Sequence, residues 1–403
     1  MILSRTSRIF LGLCIAGAVI FLCSHPLKAN QFSPQSDEGY YFHYAKTVEE
    51  KGLRGFQELL SWFSQSQQAR LHPPPSRIGF VLTGALLFHI FGPSYFILGV
   101  FSAVCFILFL AVVFYFIRKY FDLDTALLTI LLLSSSPLLL GMARRALIDS
   151  ALNLLWVLTV WLFLEFLIKR KIFQYTLFLL SFILAVLFKE GSLILLPFFV
   201  LVMAFAHHIG IEKVSCRYIF LTLVGGILLP AALYVLVLGG MDIFIQALRC
   251  LWDIQKHILQ FNPYVVKYCT GPWFRYLLDF MLLNPIVTLL FIGYSFRVVL
   301  TPLDAKKTYL LTYFLVTYAA LTFIQNNKNI RYAMSLEMVM GLFAVFMLYE
   351  IFGRRIRGTT YVAVAAVIIY FVNFISFINI FEIHGVLDPI TRHLLGVRNF
   401  IPL

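Results

Sequence analysis

The chain has 403 residues, of which 61% are hydrophobic and 13% are charged, and its mean hydropathy is +0.89. A soluble globular protein is excluded because it could not bury that much apolar surface, and the continuous rather than alternating apolar segments exclude a membrane β-barrel. The net charge of +13 does not indicate nucleic-acid binding, because the basic residues stand at the ends of apolar segments without interleaved aromatics.

Apolar segments long enough to cross a bilayer, about 20 residues each, recur along the whole chain. The first, about Ile9 to Cys23, follows Arg5 and Arg8 as a signal peptide would. Leu27 occupies a position of the candidate cleavage site where a small residue is needed, so retention as a first helix is favoured. Further segments cover about 95–117, 125–141, 148–168, 172–188, 191–206, 217–238, 276–296, 308–324, 332–350 and 359–381. The sequence predicts an all-α integral membrane protein with about eleven transmembrane helices.

The segment from Arg77 to Phe91 is apolar enough for a further span, but the basic residues favour a helix lying in the membrane interface. With this segment in the interface, all short basic loops fall on one side, as the positive-inside rule requires. These loops contain Arg5, Arg8, Arg118, Lys119, Lys169, Arg170, Lys171, Lys213, Arg217, Arg297, Lys306, Lys307, Arg354, Arg355 and Arg357. The N-terminus is then cytoplasmic.

This topology predicts one polytopic membrane domain, 1–403, in a plasma (inner) membrane, with two long loops on the outer face. The first, 24–94, carries an acidic pair and the interfacial helix, and the second is 239–275. Ionisable residues that have no simple explanation collect on this outer side. Because charges at membrane depth are costly, such a cluster predicts a functional site.

The first outer loop contributes two candidate motifs. Asp37 and Glu38 follow the first helix by about a dozen residues and, taken alone, would be read as solvated loop carboxylates. His72 precedes Pro73-Pro74-Pro75, which cannot be helical and fixes an extended entry into the interfacial segment. His72 is either a polar contact to a ligand or a hinge residue, and the sequence does not decide between them.

Three further outer motifs stand at the ends of spans. Arg144, Arg145 and Asp149 lie between two spans, where Arg145 and Asp149 could simply neutralise each other at helical spacing. Lys189-Glu190 precedes Gly191 in a tight turn between two spans. Lys328, Arg331 and Tyr332 open another span, where Arg331 could also be an interfacial anchor.

The combination of carboxylates and cations on one surface indicates transfer chemistry. A carboxylate can deprotonate a hydroxyl, and Arg or Lys can stabilise a phosphate leaving group. There is no Gly-rich phosphate loop and no dinucleotide-binding fingerprint. No nucleotide-binding site is therefore visible in the sequence.

These motifs, in this order and on this side, resemble the GT-C fold glycosyltransferases, in particular the branch of the protein O-mannosyltransferases and lipid A aminoarabinose transferases. The resemblance covers the first two hundred residues well and the remainder loosely. It implies a membrane hexosyl- or pentosyltransferase that takes a sugar from a polyprenyl-phosphate donor on the outer face and inverts the anomeric centre.

The resemblance also implies roles for single residues. Asp37 is similar to the general base that deprotonates the acceptor, and Glu38 and Asp149 are similar to supporting acidic positions. Lys189 and Arg331 would hold the donor phosphate. Candidate substrate contacts are also Tyr40, His72, Arg144, Arg145, Glu190, Lys328 and Tyr332.

Two positions depart from the aminoarabinose transferases, which have an arginine two residues beyond the acidic pair and a lysine before the first proline. Here these positions hold Tyr40 and His72. The departures argue against aminoarabinose as the sugar.

Alternatives remain. A secondary transporter or a flippase of lipid-linked sugars would favour internal repeats and charges near the midplane, neither of which is evident, and a non-enzymatic scaffold needs no charge cluster. The sequence predicts the bilayer and a lipid-linked sugar as partners, leaves the acceptor, the oligomeric state and a divalent metal open, and indicates no other cofactor. Cys250 and Cys269 share the second outer loop and are predicted to be able to pair.

Overall fold

The computed structural model describes residues 3–24, 36–66, 68–262, 265–266, 269–301, 304–324, 328–353 and 356–383, and every regular element in these ranges is helical. The α-helices, numbered in chain order, are α1 Arg5–Ser24, α2 Asp37–Lys51, α3 Arg54–Gln65, α4 Ile78–Phe91, α5 Tyr95–Tyr120, α6 Leu123–Ser134, α7 Pro137–Ala143, α8 Asp149–Lys169, α9 Ile172–Phe188, α10 Leu196–Ala204, α11 Cys216–Leu238, α12 Met241–Phe261, α13 Arg275–Leu283, α14 Pro285–Leu300, α15 Ala305–Phe323, α16 Glu337–Phe352 and α17 Ile356–Phe377. Short 3₁₀ segments occupy Ala69–Leu71, Glu190–Leu195, Ala206–Ile209 and Ile330–Leu336, and a π-helical segment occupies Ile378–Ile383.

Among the described residues, five helices are long and apolar enough to cross a membrane, and α6 with α7 makes a sixth if the bent pair is one span. The five are Tyr95–Tyr120, Asp149–Lys169, Cys216–Leu238, Ile330–Phe352 and Gly358–Glu382. Shorter apolar helices are Thr6–Leu22, Ile78–Phe91, Ile172–Phe188, Glu190–Ala204 and Pro285–Leu300. The prediction of an all-helical multi-pass membrane protein is confirmed, whereas the number of eleven spans stays a prediction.

Two apolar segments that the sequence predicted as single spans are interrupted. The segment 125–141 divides into α6 and α7, which are bent by 66°. Ser135 donates its hydroxyl to the carbonyl of Leu132 at 3.1 Å, and Pro137, which lacks an N–H, starts the new helix. The segment 276–296 divides into α13 and α14 at Asn284, before Pro285. Hydropathy alone cannot locate such breaks, because the residues around them remain apolar.

The centre of the bundle is α16, which packs against α6, α14 and α17. Its side chains are buried almost all round, including Leu342 and Phe343, which have no exposed surface. A helix that is apolar and buried on every side is typical of the core of a large helical bundle. Another layer is formed by α8, which packs between α5 and α9.

The described residues of the predicted first outer loop form α2, α3 and α4, which pack against the rest of the bundle through α9 and α12. α2 packs closely against α4, because Gly84 allows the approach: a Cβ there would lie 2.9 Å from the Cβ of Ala45. α4 also packs against α9, and α3 packs against α2 and α12. The interfacial position expected for α4 stays a prediction. This packing fixes the N-terminal turn of α2, where the acidic pair stands.

Candidate active site

Asp37 begins α2, immediately after its N-cap Ser36, and its carboxylate contacts two side chains from distant parts of the chain. One oxygen accepts a hydrogen bond from Nη2 of Arg331 at 3.2 Å, and the other lies 3.5 Å from Nδ1 of His72. Burial raises the pKa of Asp37, but the hydrogen bond with His72 and the positive charge of Arg331 outweigh burial and hold the pKa below its usual value. Because the side chain remains 30% exposed, an ionised carboxylate is accessible from outside.

Arg331 joins the two acidic motifs. Its Nη1 lies 3.6 Å from a carboxylate oxygen of Asp149, while its Nη2 binds Asp37. The side-chain oxygen of Asn329 accepts a hydrogen bond from the Arg331 backbone N–H at 3.1 Å and so fixes the start of this 3₁₀ segment. The forked guanidinium can therefore contact both carboxylates at once. Mutual neutralisation of Arg145 and Asp149 was the wrong alternative.

Arg145 pairs instead with Glu38. Nε of Arg145 donates to the Glu38 carboxylate at 2.7 Å, and the backbone N–H of Ala146 donates to the same oxygen at 3.1 Å. Glu38 has no exposed surface, so its carboxylate is not accessible to an acceptor. Glu38 was predicted to be a catalytic carboxylate. In the structure, it instead stabilises the turn before Asp149 through its hydrogen bonds with Arg145 and Ala146.

Lys189 lies across the face of Tyr332, with Nζ 3.6 Å from the ring centroid. Burial, followed by the positive charge of Arg77, lowers the pKa of Lys189 to about 7 despite the acidic influence of Asp149 and Glu190. The acidic residues of the protein therefore do not fully offset the cost of burying this positive charge. An additional anion binds well under this condition.

Arg77 is a third cation near this point, although from sequence it was predicted only as the start of the interfacial segment. Its Nη1 donates a hydrogen bond to the hydroxyl of Tyr41, and its charge acts on Asp37, Lys189 and Glu190. Within the described residues, its buried Nε has no hydrogen-bond acceptor. The only sequence signal for a role of Arg77 in the site was its position, five residues after His72 and without an acidic residue nearby in the sequence. We call Arg77, Lys189 and Arg331 the cation cluster.

His72 lies between Asp37 and an aromatic ring. The ring of Tyr40 stacks on the His72 ring with centroids 4.0 Å apart and an interplanar angle of 17°. The hydroxyl of Tyr44 donates to the carbonyl of Pro73 at 2.9 Å and fixes the turn. The two positions that depart from the aminoarabinose transferases, Tyr40 and His72, are thus in contact with each other beside Asp37.

The chain matches the family model described as dolichyl-phosphate-mannose-protein mannosyltransferase over residues 73–236. It is also similar to ArnT from Cupriavidus metallidurans in the apo state, with a TM-score of 0.52 and 15% identity over 85% of this chain and 60% of that chain. A second structure of that protein, bound to undecaprenyl phosphate, gives a TM-score of 0.51 and 16% identity over 96% of this chain and 75% of that chain. The chain has the GT-C fold.

The resemblance to the GT-C glycosyltransferases is therefore confirmed. This GT-C chain spans 60% of the length of the apo ArnT chain that it matches. Among curated proteins, none matches its sequence significantly.

Two residues that were predicted to contact the substrate, Arg144 and Lys328, bind other parts of the protein instead. Arg144 forms an ion pair with Glu382 at the end of the C-terminal helical region. Lys328 is 4% exposed, and its ammonium donates to the carbonyls of Gly271 at 2.6 Å and Pro272 at 3.4 Å. Lys328 therefore stabilises the second outer loop and gives the Gly271-Pro272-Trp273 turn, for which the sequence indicated no role, a structural partner.

The predicted pairing of Cys250 and Cys269 is not formed, because Cys250 carries a free thiol. Cys250 lines a small cavity with Leu60 and Phe63, whereas Cys269 packs in a separate cluster with Ile258. The two cysteines share a loop in sequence but face different neighbours. Within the ranges that the structure describes, no group of three or more His, Cys, Asp and Glu side chains could hold a metal ion.

Proposed function

We propose that this protein is an inverting glycosyltransferase that moves a sugar from a polyprenyl-phosphate donor to an acceptor hydroxyl on the outer face of the membrane. The observation that carries the proposal is the bridge from Arg331 to both Asp37 and Asp149, beside Lys189 and Arg77. This arrangement combines an accessible carboxylate with several cations, as transfer from a lipid-linked sugar phosphate requires. The GT-C fold and the match to a mannosyltransferase family model support it.

In this proposal, Asp37 accepts the proton of the acceptor hydroxyl while the acceptor oxygen attacks the anomeric carbon. The bond from that carbon to the phosphate oxygen breaks, and the phosphate leaves with the electron pair. In the free protein, the hydrogen bond with His72 and then the positive charge of Arg331 hold the pKa of Asp37 below its usual value. A donor phosphate that binds Arg331 offsets this charge, so the carboxylate becomes a better base when the substrate is present.

The cation cluster supplies the phosphate contacts. Arg331 can bind oxygens through a planar fork, and the ammonium of Lys189 acts as a compact charge. The unsatisfied Nε of Arg77 is a further donor in the same region. Because these groups are held by Tyr332, Tyr41 and the two carboxylates, little reorganisation is needed when negative charge develops on the leaving phosphate.

The location, the lipid and the sugar are further parts of the proposal. The clustering of short basic loops favours a cytoplasmic N-terminus and an outer site in a plasma (inner) membrane. Undecaprenyl phosphate is the lipid to test first, because the similar ArnT structure was determined with it. Mannose is the sugar to test first, because the family model is named for a mannosyl donor.

The deciding experiment uses purified protein in sealed, right-side-out vesicles that contain undecaprenyl-phosphate mannose. We expect mannose to leave the lipid, either to water or to a hydroxyl acceptor added outside, with inversion of the anomeric centre. Movement of intact lipid-linked mannose between leaflets without cleavage would support the flippase alternative instead. Product formed only from an acceptor sealed inside the vesicles would contradict the outer-face site.

The lowered pKa of Lys189 predicts that donor binding depends on pH. Lys189 is protonated below about pH 7 and loses its charge above it, whereas the phosphodiester of the donor keeps its negative charge. The KM for the donor should therefore rise above pH 7, by up to about tenfold per pH unit. The Lys189→Arg variant stays charged and should show a flat donor KM between pH 6 and pH 9.

Lys256→Arg is the matched control, since Lys256 is exposed on α12, and it should keep the wild-type profile. The measurement is the initial rate against donor concentration at each pH. A wild-type donor KM that does not change over this range would contradict a phosphate contact by a Lys189 that titrates near pH 7.

A further inference from the structure

Three aromatic rings form a stack that leads from the outer surface to Asp37. The ring of Tyr40, in α2, stacks on the ring of His72 with centroids 4.0 Å apart. It also stacks on the ring of Trp62, in α3, with centroids 6.1 Å apart and an interplanar angle of 29°. Trp62 is 40% exposed, and His72 lies 3.5 Å from the Asp37 carboxylate. We call Trp62, Tyr40 and His72 the aromatic ladder.

The ladder is packed against a fourth ring. The ring of Tyr44 meets both Tyr40 and Trp62 edge-on, with centroids 6.2 and 6.4 Å away, and its hydroxyl binds the carbonyl of Pro73. The rings therefore come from three separate segments that are fixed relative to one another. Aromatic side chains that are packed in this way present large contact surfaces at little conformational cost.

The aromatic ladder and the cation cluster contact different oxygens of the Asp37 carboxylate. One oxygen of Asp37 binds Arg331, and the other faces His72. Arg70, in the turn that leads to His72, is paired with Asp253 at 3.2 Å and is not a free charge for a ligand. The ladder from Trp62 to Asp37 thus consists of rings, with Trp62 as its exposed end, and an aromatic surface suits a neutral ligand better than a phosphate or carboxylate.

We propose that the aromatic ladder is the acceptor subsite and that it binds the ring of a neutral sugar, so that the acceptor is a glycan. A sugar ring has an apolar C–H face that can lie against an aromatic face while its hydroxyl groups remain at the edges. With one sugar unit against the exposed Trp62 ring, a hydroxyl of the next unit would approach Asp37, because Tyr40 and His72 occupy the interval between Trp62 and the carboxylate. This inference rests on the proposed function, because Asp37 must be the base that receives the acceptor proton.

The first test is binding, which does not depend on activity. Mannobiose is added to purified protein in detergent, and contact is measured by saturation-transfer NMR. We expect Trp62→Ala to weaken mannobiose binding by about tenfold, the usual scale of one aromatic stacking contact. Trp62→Phe should restore most of it, and Trp252→Ala, which removes a 75% exposed tryptophan from α12, should bind like wild type. Equal binding by Trp62→Ala and wild type, or no binding by wild type, overturns the subsite.

The second test separates the subsite from the proposed function. Transfer from undecaprenyl-phosphate mannose is compared for mannobiose, a Ser/Thr-rich peptide and lipid A. Transfer to mannobiose, with an acceptor KM that rises in Trp62→Ala more than kcat falls, supports the glycan subsite. Transfer to the peptide or to lipid A but not to mannobiose leaves the proposed function standing and overturns the glycan acceptor. Mannobiose binding that needs Trp62, without cleavage of the donor under any condition, retains the sugar-binding ladder and overturns the proposed donor.

Discussion

Replacing Asp37 with asparagine is expected to lower the rate of sugar transfer by a factor on the order of 10² to 10⁴, the usual contribution of a general base. The amide keeps the size of the carboxylate and its reach to His72 and Arg331, but it cannot take up the proton of the acceptor. Membrane insertion and donor binding should change little. The side chain is 30% exposed, and the Ser36 cap of α2 remains in place.

The measurement is turnover of a polyprenyl-phosphate sugar by purified protein, with donor binding determined separately. Asp242→Asn is the matched control, because Asp242 is an exposed aspartate in the first turn of another helix, α12. It should retain wild-type turnover. If Asp37→Asn keeps more than roughly a tenth of wild-type turnover, the assignment of Asp37 as the base is wrong.

The membrane class and the helices could be predicted from sequence because the bilayer imposes a strong constraint. Every backbone polar group must be satisfied within the segment, so long apolar runs become helices whatever their neighbours are. Breaks inside those runs are weaker signals. Ser135 interrupts 125–141 through a local hydrogen bond and Pro137 through its missing N–H, and the mean hydropathy of the segment does not register either effect.

The site was partly predictable because the predicted topology restricts the candidate site residues to the charged residues on one side of the membrane. Asp37 was selected in the predicted first outer loop, and Asp149, Lys189 and Arg331 were selected at predicted outer ends of spans; the structure brings these four residues together. Sequence cannot assign partners within such a set. Arg145 lies four residues from Asp149, yet it binds Glu38, which is 107 positions away in the chain.

Long-range packing also determines the partners of Lys328, Arg331 and Arg77. Lys328 and Arg331 are three residues apart, but one supports the second outer loop and the other binds Asp37. Arg77 was missed because a single arginine before an apolar helix is ordinarily an interfacial anchor. Only the fold shows that its charge acts on Lys189 and Asp37.

Replacing Arg331 with glutamine is expected to reduce kcat/KM for the donor by about 10² to 10³ and also to destabilise the protein. The lost guanidinium would leave the phosphate without its forked donor. It would also leave Asp149, which is 5% exposed, as a buried carboxylate without the cation that now lies 3.6 Å away. Breaking a buried ion pair from one side typically costs about 3 kcal/mol or more of folding free energy.

The double variant Arg331→Gln/Asp149→Asn separates these two effects. It removes the unpaired carboxylate, so the thermal unfolding temperature in detergent should return toward the wild-type value, whereas donor kcat/KM should stay low. Arg331→Lys should also stay well below wild type, because one ammonium cannot span Asp37, Asp149 and a phosphate as the fork does. Recovery of transfer by the double variant along with its stability would mean that Arg331 only neutralises Asp149, and the phosphate would then have to be held by Lys189 and Arg77 alone.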